Sequence, residues 1–76
     1  MARTFKQGAL IYDAKAQRMD IRLDLDNYCG GLCCGQYLEV LFDGRWIPTR
    51  IEMADDWYLV DVPTRDLVGL RVRIPV

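Results

Sequence analysis

The stretch Gln36-Tyr37-Leu38-Glu39-Val40-Leu41-Phe42-Asp43-Gly44-Arg45-Trp46-Ile47-Pro48-Thr49-Arg50-Ile51-Glu52-Met53 decides the fold. Asp43-Gly44 stands between two runs rich in apolar and β-branched residues. Asp-Gly tolerates positive φ at both central positions, so the pair reads as a type I′ hairpin turn. Counting outward from it sets Phe42 opposite Arg45, Leu41 opposite Trp46, Val40 opposite Ile47, Glu39 opposite Pro48, Leu38 opposite Thr49 and Tyr37 opposite Arg50. Side chains alternate between the faces of a strand. Leu38, Val40, Phe42, Ile47, Thr49, Ile51 and Met53 therefore form the core side. Tyr37, Glu39, Leu41, Trp46, Pro48, Arg50 and Glu52 form the outer side. Pro48 has no N–H, which places it at a strand edge or a bulge.

The same period of two runs along the rest of the chain. Gln7 to Tyr12 reads as a first strand. Arg18 to Leu25 alternates strictly, with Met19, Ile21, Leu23 and Leu25 inward and Arg18, Asp20, Arg22 and Asp24 outward. The segment from Asp26 to Gly35 holds Gly30, Gly31 and Gly35 and reads as a flexible loop. Trp57 to Asp61 and Leu70 to Ile74 are two further strands. Pro63-Thr64-Arg65-Asp66 between them suits a single helical turn with Pro near its start. Five or six short antiparallel strands without an amphipathic helix predict an all-β domain, and closure into a small β-barrel removes exposed edges. The expected domain is single, residues 1–76, with residues 1–6 a loose N-terminal tail.

Composition excludes much. The 76 residues are 51% hydrophobic and 28% charged, the pattern of a folded domain rather than a disordered chain. His and Ser are absent from the sequence. A Ser-His-Asp triad, a Cys-His dyad and imidazole acid–base chemistry are therefore impossible, and no enzyme is expected. The net charge is −1, without the basic excess usual in nucleic-acid binding modules. Ala9-Leu10-Ile11-Tyr12 stops at Asp13, far short of the ~18 apolar residues of a membrane span. Three clustered cysteines do not form a disulfide framework. Cytoplasmic localisation, no membrane contact and no cofactor are expected.

Leu38-Glu39-Val40-Leu41, Trp46, Trp57-Tyr58-Leu59-Val60, Pro63 and a last strand resemble the layout of a Src-homology-3-type barrel. Ala9-Leu10-Ile11-Tyr12-Asp13 is similar to that fold's Ala-Leu-Tyr-Asp strand with one residue inserted, and Asp20, Asp24 and Asp26 to its acidic loop. The resemblance implies a Src-homology-3-like barrel in which Trp46 matches the groove's first Trp and Pro63 the Pro before the last strand. Thr64-Arg65-Asp66 replaces Ser-Asn-Tyr, so the groove's Tyr is absent. As a whole the chain resembles a family of short bacterial proteins known only as a domain of unknown function. Gly8-Ala9-Leu10-Ile11-Tyr12, Tyr28-Cys29-Gly30-Gly31, Gly44 to Glu52 and Asp55 to Leu59 carry that likeness, which implies no activity.

Three groups of side chains are candidates for binding. The face of Tyr37, Leu41, Trp46, Pro48 and Arg50 can take an extended or proline-rich segment of another protein by stacking and strand addition; alternatively, Trp46 fills a second small core. Arg50, Arg71 and Arg73 with Trp46 can hold single-stranded nucleic acid, or form a solvated exterior with Asp20, Asp24 and Glu39 pairing across strands. Cys29, Cys33 and Cys34 lack the paired C-x-x-C spacing of a zinc site and read as small hydrophobes with one exposed thiol. Asp55-Asp56 reads as a turn cap rather than an acid–base pair. The leading expectation is a protein-binding or adaptor module. A nucleic-acid-associated accessory protein is the alternative, and a homo-oligomer formed through a sheet edge is the third reading.

Overall fold

Seven strands follow one another along the chain: β1 (Phe5–Asp13), β2 (Arg18–Asp24), β3 (Asn27–Tyr28), β4 (Tyr37–Phe42), β5 (Arg45–Met53), β6 (Trp57–Leu59) and β7 (Arg71–Pro75). The structure is a computed structural model and describes residues 4–76. The strands form one sheet in the order β3-β2-β1-β7-β4-β5-β6, and every pairing is antiparallel. No helix occurs among the described residues.

The central hairpin has the expected register at all six positions, from Phe42↔Arg45 to Tyr37↔Arg50. Asp43 has φ 52° and Gly44 φ 77°, the double positive φ that a two-residue turn of this kind demands. Pro48 pairs with Glu39 on one side. Pairing of β5 with β6 covers only Ile51 to Met53, so the missing N–H at Pro48 leaves no ladder bond unmade.

The inward side chains make one core. Leu10, Ile21, Leu38, Val40, Ile51 and Val72 are fully buried, joined by Leu32 and Leu59. Gly8 lies in β1 where a β-carbon would run into the Arg22 carbonyl of β2, so the two backbones can close over the core only around glycine. The sheet curls. Met19 of β2 and Trp57 of β6 line the same small cavity, although β1, β7, β4 and β5 lie between their strands. The all-β architecture is as expected, with seven strands rather than five or six, and hydrogen bonding does not close the sheet into a barrel.

Several sequence readings are corrected. Of the expected N-terminal tail, Phe5 and Lys6 belong to β1 and pair with Pro75 and Ile74; residues 1–3 lie outside the described residues. The glycine-containing loop is pinned rather than flexible. Cys29 N–H donates to the Ile21 carbonyl and Leu32 N–H to the Met19 carbonyl, both at 2.9 Å, and Leu32 joins the core. Leu25 is 74% exposed, because the β2–β3 register shifts between Arg22 and Asp24 and the chain turns there. Met53 is also exposed, at the end of β5. Pro63 to Asp66 forms no helical turn; the Thr64 hydroxyl oxygen accepts the Asp66 N–H at 3.1 Å instead. Asp20 and Glu39, read as solvated, are buried.

Candidate functional site

The outer face of β4, β5 and β7 carries the residues singled out for binding. Alternation places Tyr37, Glu39 and Leu41 of β4 beside Arg50, Pro48 and Trp46 of β5. Across the other flank, Glu39 faces Arg73 of β7. The Arg73 Nη2 lies 2.7 Å from Glu39 Oε1, and its Nε donates to the same oxygen at 2.8 Å. The Tyr37 hydroxyl donates to Glu39 Oε2 at 2.6 Å. Both carboxylate oxygens are thus engaged, which is what a side chain only 9% exposed requires.

The Arg73 guanidinium is also stacked between two rings. Its central carbon lies 4.2 Å from the Trp46 ring centroid and 4.1 Å from that of Phe5. A planar cation between aromatic faces gains electrostatic attraction from both. Trp46 is accordingly half-buried, with Arg73 over its ring.

The candidate residues therefore divide. Tyr37 and Leu41 are 39% and 37% exposed, and Pro48 and Arg50 are exposed as well. An open groove of about 280 Å³ is lined by Tyr37, Pro48, Thr49, Arg50, Val60 and Asp61. One rim is fixed by the Thr49 hydroxyl, which donates to the Val60 carbonyl at 2.7 Å. Three of the five residues assigned to protein binding thus meet in one concavity, while Leu41 and Trp46 lie along the same face. Of the arginines, Arg50 and Arg71 are exposed but Arg73 is held by Glu39 and the aromatic pair. The three guanidinium groups are thus unequally placed, two open to solvent and one engaged within the fold.

The cysteines are all free thiols; Cys29 is half-buried, whereas Cys33 and Cys34 are both exposed, one more exposed thiol than expected. Burial pushes the Cys29 pKa up, the Asp20 charge adds to that, and Lys6 opposes it. Among the described residues no three metal-ligating side chains group together. Asp56 Oδ1 accepts the Trp57 N–H at 2.8 Å and so caps the turn into β6.

Cross-strand pairing of the arginines with acidic residues, Glu39 among them, is borne out at Arg73, but the burial of Glu39, the part played by Phe5 and the aromatic stack on Arg73 are not read from the sequence. Glu39 meets Arg73 through the pairing of β4 with β7, a contact 34 residues apart that no local spacing announces. Phe5 lay within the presumed tail.

A profile described as a domain of unknown function (DUF5348) matches residues 8–74. No curated protein matches the chain. The crystal structure of a protein from Ruminococcus gnavus, a Northeast Structural Genomics Consortium target, is similar at 50% sequence identity. The likeness covers 90% of this chain and 99% of that one, with a TM-score of 0.84. No helix among the described residues is long and apolar enough to cross a membrane.

Proposed function

From the premise that the chain belongs to the bacterial family described as a domain of unknown function, DUF5348, we propose that it is a cytoplasmic, non-enzymatic protein-binding module on a Src-homology-3-like frame. Its docking face is the outer surface of β4 and β5, and its ligand is an extended segment of another protein. The observation that carries this reading is the groove lined by Tyr37, Pro48 and Arg50. An aromatic ring and a prolyl ring offer rigid apolar surface at low entropic cost, and an exposed guanidinium orients a backbone carbonyl or a carboxylate. Pro48 interrupts the row of donors that strand addition needs, so side-chain stacking rather than a new β-ladder dominates the contact. The Tyr37 ring is held in place at one wall by its hydroxyl's hydrogen bond to Glu39.

Titration of ¹⁵N-labelled protein by NMR, first with a peptide pool and then with short single-stranded DNA, tests the proposal. Saturable shifts at Tyr37, Trp46 and Arg50 with peptide, lost in Pro48→Ala and Arg50→Ala, are expected. Shifts at Arg50 and Arg71 with DNA alone, weakening steeply with salt, replace it with the nucleic-acid reading. A concentration-dependent mass with silence toward both probes replaces it with self-association.

A further inference from the structure

A small cavity lies where the curled sheet brings β2 close to β6 and to the connection from β6 to β7. Its volume is about 180 Å³, and Met19, Asp56, Trp57, Arg65, Asp66 and Leu67 contribute to its lining. That is room for a group of a few heavy atoms. None of these residues lines the groove on β4 and β5.

Trp57 is the unusual member. Its indole Nε1–H is buried, and no acceptor among the described residues lies within hydrogen-bond reach of it. No other buried side-chain nitrogen or oxygen of the described residues is left in that condition. A buried Trp N–H ordinarily finds a partner, because a donor taken out of water and left unpaired loses its hydration for nothing. The polar groups beside it are engaged elsewhere or carry charge. Asp56 Oδ1 accepts the Trp57 backbone N–H at 2.8 Å. The Arg65 guanidinium lies over the Tyr58 ring, 5.4 Å from its centroid. Neither Asp56 nor Asp66 forms an ion pair among the described residues, so the lining sets two carboxylates against one guanidinium. Met19 and Leu67, 3% and 5% exposed, supply the apolar wall.

We propose that this cavity binds a neutral primary carboxamide, its carbonyl oxygen on the Trp57 Nε1–H, its NH₂ on the Asp66 carboxylate and its alkyl stem against Met19 and Leu67. The unpaired donor calls for an acceptor, which an ammonium ion does not offer. The excess of carboxylates repels an acceptor that is itself an anion. A carboxamide brings an acceptor and two donors without net charge. A free amide and a glutamine side chain of a polypeptide share this chemistry.

The full chain, ¹⁵N-labelled, is titrated with propionamide, with Nα-acetyl-glutamine N-methylamide, and with propionate and n-propylammonium as charged counterparts. Trp57→Phe identifies the Trp57 indole N–H signal by removing it. Saturable downfield movement of that signal is expected with both amides and with neither ion, while the Trp46 indole signal stays in place. Trp57→Phe keeps an apolar ring and loses the donor, and is expected to weaken binding about tenfold when followed at the Asp66 and Leu67 amides. Tighter binding of the glutamine compound than of propionamide identifies a polypeptide side chain as the source; equal or weaker binding identifies a free amide. Should Trp57→Phe not fold, Asp66→Ala, at an exposed position, decides by its weakened binding. No saturation with either amide means that the indole donor meets an ordered water only, and overturns the proposal. Equal shifts with propionate or n-propylammonium, or undiminished binding by folded Trp57→Phe or by Asp66→Ala, overturn it as well.

Discussion

Glu39 and Arg73 show how far one residue's environment can depart from what its neighbours in sequence suggest. Alternation assigned Glu39 to the outer face correctly, yet the face itself is covered there, by Arg73 and the two rings that enclose it. Removing the carboxylate strands a guanidinium already withdrawn from water. Glu39→Ala is therefore expected to cost about 2 kcal/mol in urea denaturation, and Arg73→Ala to shift Trp46 fluorescence to the red in a Trp57→Phe background. Cys29 offers a titration at the same scale. Burial raises its pKa in the folded protein, so folded chain holds the thiol proton more firmly than unfolded chain. Stability is then unaffected below the unfolded thiol's pKa and falls as pH rises from there through the folded pKa. Urea denaturation across alkaline pH is expected to show that decline, with a shallower slope in Cys29→Ala.

At the scale of elements, what could be read in advance was whatever depends on local geometry. The hairpin register follows from one dipeptide, because a two-residue turn leaves no freedom in the pairing beyond it. β3 was illegible: two residues carry no periodicity, and Asn27–Tyr28 becomes a strand because β2 offers it an unpaired edge. Leu25 continued the pattern of β2 on paper, but the register shift ends the ladder before it. The candidate groove was legible in part, since Tyr37, Pro48 and Arg50 follow from the turn count, whereas its rim at Val60 and Asp61 depends on how the chain leaves β6. Two glycines separate the causes that a strand and a turn impose. Gly8→Ala forces a β-carbon onto the Arg22 carbonyl, with an expected loss of about 1–3 kcal/mol. Gly44→Ala meets no neighbouring atom within 4 Å but must hold φ near 77°, with an expected loss of about 1 kcal/mol. Urea midpoints measure both, and NMR shifts confined to the turn in Gly44→Ala and spread across β1 and β2 in Gly8→Ala distinguish them.

Across the whole molecule, the last strand in sequence is the middle strand in space. β1–β3 form one antiparallel meander and β4–β6 another, and β7 joins them through its pairings with β1 and β4. Among the described residues the sheet's hydrogen bonding between the two halves runs through β7 alone. Neither half can bury its inner face by itself, since the core draws Leu10 and Ile21 from one and Leu38, Val40 and Ile51 from the other. Cooperativity then depends on a strand that completes the sheet only when the far end of the chain arrives, a non-local closure that slows folding. Val72 lies fully buried at this seam, opposite Gly8 on one side and Val40 on the other. Val72→Ala is expected to cost about 2 kcal/mol. Because the seam serves both halves, that loss appears equally in the hydrogen-exchange protection of the Ile21 and Ile51 amides. Loss at only one of the two amides means that the meanders open independently, and that the curled sheet is two units rather than one.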